Sequence, residues 1–182
     1  MKRHLCLLFL ISISFLPGCK KTKPAVDQLP PTTQTGAHTL GCLVNGKVFK
    51  PKGDLFTGPI LSCAYQYIEG GYSFQLKAKQ DIGNGLLSIG IFTDSLVISQ
   101  GVIIKLYGPF VKGKSFGLHG KYISGSSGSL YYTQSSGTGE LHITKFDEIN
   151  RIVSGTFWFD ATNSDGEKVQ VREGRFDMNY TL

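Results

Sequence analysis

Nothing in this 182-residue chain has the length to cross a bilayer as a helix. Its greasiest run, Leu5 to Leu16, falls short of the ~20 apolar residues that a spanning helix needs. Helical periodicity is missing too, since no window sustains apolar residues at the i, i+3, i+4, i+7 spacing. Cysteine is scarce: of four, Cys6 and Cys19 lie close to the N-terminus, leaving Cys42 and Cys63 for the body of the chain. With no Cys or His at zinc-ligand spacing, a metal site is not expected. Charge of one sign is lacking as well. From Gly36 onward 14 Lys/Arg face 12 Asp/Glu, so the formal +6 of the whole chain falls to about +2. Nucleic acid binding therefore has no electrostatic footprint.

What is present begins with a targeting signal. Lys2 and Arg3 precede the apolar run, and small residues then lead to a cysteine, the order of a secretory signal peptide. Leu16-Pro17-Gly18-Cys19 resembles the lipobox of bacterial lipoproteins, which implies acylation of Cys19, with palmitate among the acyl groups, and its becoming the first mature residue. Residues 19–35 carry Lys20, Lys21, Lys23, Pro24, Pro30 and Pro31 with few large apolar residues. That composition predicts an extended, flexible tether. The expected organisation is a signal peptide over 1–18, a tether over 19–35 and a single β domain over 36–182. Export into an oxidising compartment leaves two readings of Cys42 and Cys63, a disulfide or a pair of buried thiols on separate strands.

From Gly36 the chain is punctuated as a β protein. Asn45-Gly46 separates two short apolar runs and predicts a two-residue hairpin. Glu69-Gly70-Gly71 divides a run through Cys63, Tyr65 and Tyr67 from Tyr72, Phe74, Leu76 and Ala78, which alternate with polar residues at a period of two. Further strands are expected at Leu86 to Phe92, Val102 to Tyr107, Leu130–Thr133 and Gly139–Lys145. Between Gly108 and Gly128 the alternation fades into Gly, Ser and Lys, and a short helix fits Phe146–Asn150. Ile152 to Ala161 and Lys168 to Tyr180 flank a turn at Thr162–Gly166, with Gly174 marking a bulge or a second turn. About ten strands predict an all-β antiparallel meander, closed as a lipocalin-like barrel or folded as a sandwich.

Two segments carry a family likeness. Thr32-Thr33-Gln34-Thr35-Gly36-Ala37 with Gly41-Cys42-Leu43-Val44-Asn45-Gly46-Lys47, and Val153-Ser154-Gly155-Thr156-Phe157-Trp158-Phe159 with Gly174-Arg175-Phe176-Asp177, resemble the two ends of a family of uncharacterised Bacteroidetes lipoproteins. The resemblance implies a cell-envelope location and a β-fold but no activity. Lys20 and Lys21 stand where surface-exported lipoproteins of such bacteria carry acids, which favours the periplasmic side of the outer membrane.

Few residues carry chemistry. Gly113-Lys114-Ser115-Phe116-Gly117 has the spacing of a hydrolase nucleophile elbow, but no helix can follow it, and it reads as a glycine-rich loop. Glu140 and His142 share a strand face without a third ligand. The single tryptophan, Trp158, points outward if Phe157 and Phe159 point in, beside Asp160 on its own strand and facing Gln170 and Arg172 on the next. An aromatic plate edged by amides and charges stacks sugar rings or anchors a partner. The expected function is a non-enzymatic, cofactor-free binding module for a glycan or small ligand. An accessory subunit that seats on another envelope protein is the alternative.

Overall fold

The structure, a computed structural model, describes residues 24–53, 58–109, 111 and 113–182. The expected signal peptide and the expected acylation site, Cys19, lie outside these residues. The fold is all-β. Eleven strands run as β1 (Thr39–Val44), β2 (Lys47–Phe49), β3 (Leu61–Ile68), β4 (Gly71–Asp81), β5 (Gly85–Thr93) and β6 (Ile103–Lys105), followed by β7 (Ser115–Ile123), β8 (Ser129–Tyr132), β9 (Gly139–Asp147), β10 (Ile152–Thr162) and β11 (Lys168–Asn179). Every strand pair is antiparallel. A single 3-10 turn at Ala25–Gln28 is the only helical element among the described residues.

The strands form one curled, half-barrel sheet in the order β2-β1-β11-β10-β8-β7-β5-β4-β3, with β9 on β10 and β6 on β9. β10 is shared: Ile152 to Phe159 pairs with β9, and its last residue, Thr162, pairs with Tyr132 of β8. At the far end the curl meets its own C-terminus. The Tyr65 amide donates to the Thr181 carbonyl at 2.9 Å, and the Thr181 amide donates to the Cys63 carbonyl at 3.1 Å. The concave side encloses the core, in which Phe74, Leu76, Ile91, Leu141, Ile143 and Phe159 are fully buried.

Local chemistry explains the regular parts. Asn45 and Gly46 both take positive φ, so the expected two-residue turn closes the β1–β2 hairpin; Glu69 and Gly70 do the same between β3 and β4, where Gly71 already pairs with Ile68. Val153, Phe157, Phe159 and Ala161 all face inward, and so do Val169, Val171, Phe176, Met178 and Tyr180. The second set changes phase between Val171 and Phe176, which requires one extra residue. A bulge supplies it at Arg172 and Glu173, which together oppose Trp158. Gly174 follows because a Cβ there would sit 2.5 Å from the Phe157 ring.

Three expectations are corrected. The stretch between Gly108 and Gly128 is not patternless loop: it contains β7, nine residues long and paired on both sides. Its inward positions are Ser115, Gly117 and His119, small or polar side chains where alternation calls for large apolar ones. The Phe159 ring fills the space instead, lying 2.8 Å from where a Gly117 Cβ would stand. Ser115 thus begins a strand rather than sitting in a glycine-rich loop, and its hydroxyl donates to the Lys105 carbonyl at 2.5 Å. Phe146–Asn150 is not a helix; β9 runs through Asp147, and Glu148 to Arg151 form the turn into β10.

The third correction concerns the tether. Residues 24–35 lie against the domain instead of leaving it. Leu29 is 8% exposed, and Pro30 packs over Gly41 of β1 so closely that a Cβ on that glycine would clash at 2.4 Å. The anchor point is Asp177 on β11, a carboxylate 1% exposed. It accepts from the Thr33 hydroxyl (2.7 Å), the Thr35 amide (2.9 Å) and hydroxyl (3.3 Å), the Gly36 amide (2.8 Å), the Ala37 amide (3.1 Å) and the Ser154 hydroxyl (2.8 Å). A low-hydrophobicity segment is ordered here by hydrogen bonds to one buried charge, with apolar burial limited to Leu29 and Pro30.

Cys42 on β1 and Cys63 on β3 are free, buried thiols, and burial pushes both well above the ordinary thiol range. A thiolate-specific reagent at pH 8 should label neither peptide in the native protein and both after denaturation, read by mass spectrometry. A disulfide would leave both unlabelled in either state.

Candidate functional site

The candidate face is built on three neighbouring strands. Inward-facing Phe157 and Phe159 send Trp158 outward from β10, where it is 39% exposed. The register puts Glu140 of β9 directly opposite on one side, and His142 opposite Thr156. On the other side the β11 bulge sets Arg172 and Glu173 against Trp158, with Arg175 opposite Thr156. A strand without the bulge would put one of Arg172 and Glu173 inward; with it, Arg172, Glu173 and Arg175 share the outer surface.

Contacts then fix the tryptophan. Its indole N–H donates to Glu140 Oε2 at 3.3 Å. The Arg172 guanidinium lies over the ring, 5.4 Å from the centroid. Arg172 is itself held, donating from Nη2 to Asp160 Oδ1 at 2.5 Å and from Nη1 to the carbonyls of Phe159 (3.0 Å) and Val171 (2.9 Å). The ion pair is half-exposed and adds little stability in itself; its effect is to fix the guanidinium plane against the indole. Glu173 and Arg175 pair at 3.4 Å along the same wall.

These side chains line an open groove of about 610 Å³. Of the six residues expected at the site, Glu140, His142, Trp158 and Arg172 line it. Asp160 acts through Arg172, and Gln170 lies beyond the groove, its backbone N–H donating to Asn45 Oδ1 at 2.8 Å. Thr32, Ile103, Glu173 and Arg175 join the lining without having been expected. The phase change after Val171 could have revealed Glu173 and Arg175. Nothing near Thr32 could have revealed its place, which depends on the Asp177 contacts 140-odd residues away. The walls carry both signs of charge around one aromatic face, a surface suited to a neutral, hydroxyl-bearing ligand. Among the described residues, no group of three or more His, Cys, Asp or Glu is placed to hold a metal.

Residues 110–178 match a family model described as a domain of unknown function (DUF6252). That span includes all six expected site residues and excludes Cys42, Cys63 and the docked N-terminal segment. Neither a curated protein nor a solved structure matches the chain.

Proposed function

We propose that this chain is a non-enzymatic binding module of the bacterial cell envelope, acylated at Cys19 on the periplasmic side of the outer membrane, that takes a sugar in the Trp158 groove. The observation that carries the reading is the geometry of Trp158: a half-exposed indole in a concave groove, pinned by Glu140 and backed by Arg172. Sugar rings present an apolar face to an aromatic plate while their hydroxyls meet flanking donors and acceptors. Carboxylates, guanidinium groups and an imidazole supply both kinds here.

Because Trp158 is the only tryptophan, intrinsic fluorescence reports on the groove directly. A glycan that binds should shift the emission, and Trp158→Ala should weaken binding at least about tenfold with the fold retained. Unchanged glycan-array binding by that variant would overturn the assignment. Cys19→Ala should move the protein from the membrane to the soluble fraction and abolish labelling by palmitate.

A second reading, an accessory subunit seated on another envelope protein, is favoured by one observation. Tyr67, Ile68, Tyr72 and Val97 are exposed at the β3–β4 tip, where the Leu96 amide donates to the Tyr72 carbonyl and holds the two chain segments together. A photo-crosslinker at Tyr67 that captures a protein in intact cells, while one at Trp158 does not, would favour it.

A further inference from the structure

A smaller cavity of about 210 Å³ lies elsewhere, where the curl brings the β1–β2 hairpin over β4, β5, β7, β8 and β11. Its walls are apolar, with Val48, Phe49, Leu87 and Val169 among them. Three lysines, Lys47 (β2), Lys121 (β7) and Lys168 (β11), stand exposed around it, and among the described residues no carboxylate lines it. None of the three forms an ion pair among the described residues. Glu167, which meets the cavity-lining Tyr131, is engaged by the Tyr131 hydroxyl (2.8 Å) and the Asn163 side-chain amide (3.0 Å).

The inner end is polar. His119, 4% exposed, lines the cavity and packs against Tyr131 with ring centroids 5.7 Å apart. Its Nδ1 lies 3.0 Å from the Ser88 carbonyl, an acceptor only, so Nδ1 carries the proton. Burial lowers the imidazole pKa more than the Ser88 contact raises it, with Lys121 lowering it further. The neutral ring therefore offers Nε2 as an acceptor, and among the described residues no group donates to it. Lys121 lies two residues further along the same strand, about 7 Å away at the rise of an extended chain.

We infer that this cavity binds a small amphiphilic anion, with an apolar body inside, an anionic group among Lys47, Lys121 and Lys168, and a hydrogen-bond donor at the inner end for His119 Nε2. The volume fits such a body, since an apolar cavity of ~150 Å³ admits benzene. A hydroxylated aromatic carboxylate has the required order of groups: charge, ring, hydroxyl. The inference is independent of the Trp158 groove, which none of these residues lines.

The test titrates the intact chain with 4-hydroxybenzoate, followed by calorimetry and by NMR shifts of His119, Lys121 and Tyr131. Saturable binding is expected. Benzoate, lacking the donor, and the methyl ester, lacking the charge, should each bind about tenfold or more weakly. The triple variant Lys47→Gln, Lys121→Gln, Lys168→Gln should lose at least about tenfold in affinity with an unchanged melting temperature. His119→Phe, if folded, should erase the preference for 4-hydroxybenzoate over benzoate. No saturable binding at millimolar ligand, equal affinity in the triple variant, or shifts confined to the Trp158 groove would each overturn the inference.

Discussion

Replacing Asp177 with Asn is expected to cost about 3 kcal/mol of stability, the upper end of the range for losing hydrogen bonds to a buried charged group. Every group that faces this carboxylate is a donor: three backbone amides and the hydroxyls of Thr33, Thr35 and Ser154. An asparagine would turn an amide N–H toward some of those donors and leave them unmatched in a dry site. Urea unfolding at pH 7 measures the loss, and limited proteolysis should cut residues 24–36 in the variant but not in the native protein. The pH dependence has a definite sign. Burial alone would raise this carboxyl, but the bonds from Thr33, Thr35, Ser154 and Ala37 outweigh it and hold the group well below its ordinary 3.8. A depressed native value contributes stability that is complete above the unfolded-state pKa and fades as pH falls through the native one. The gap between native and Asp177→Asn proteins should therefore be largest near neutrality and narrow below about pH 4. A gap that stayed constant down to pH 2.5 would contradict the assignment.

Phe159→Ala should also cost about 3–5 kcal/mol, the usual range for a buried phenylalanine. Phe159 has no exposure, and its ring spans the space over Gly117 of β7. On another side its Cβ lies 2.4 Å from where a Gly139 Cβ would stand. Glycines have no side chain with which to refill the void, so little of the cost can be recovered by relaxation. A double-mutant cycle tests this. Gly117→Ala should destabilise the native protein, by crowding the ring at 2.8 Å, yet stabilise the Phe159→Ala variant by occupying part of the cavity. Additive effects would mean that the two residues do not share the space.

The β10–β11 hairpin shows how much could be read from residues alone. Its inward set, its turn and the outward direction of Trp158 all follow from a period of two, because large apolar side chains mark each inward position. The irregularity at Gly174 was visible as well, though its form, a bulge that turns Arg172 and Glu173 outward together, needed the pairing partners. β7 was illegible for the opposite reason. Its core-facing positions hold Ser115, Gly117 and His119, and the apolar volume that completes that part of the core comes from Phe159 on a distant strand. Thr32 and the rest of the docked segment escaped similarly. Much of their order comes from one carboxylate at the far end of the chain, and composition records only that such a segment cannot bury much apolar surface. The groove was therefore half legible: the members set by alternation could be named, and those set by tertiary contact could not.

The packing of residues 24–37 against the domain, tied to Asp177 from Thr33 onward, would also set the length of a leash. With an acyl chain at Cys19, only the five steps from Cys19 to Pro24 separate lipid from globule, at most about 18 Å at ~3.6 Å per residue. On so short a leash an acylated protein would sweep only a thin shell just above the headgroups. It would meet molecules displayed in, or diffusing along, its own leaflet far more often than those in the bulk compartment.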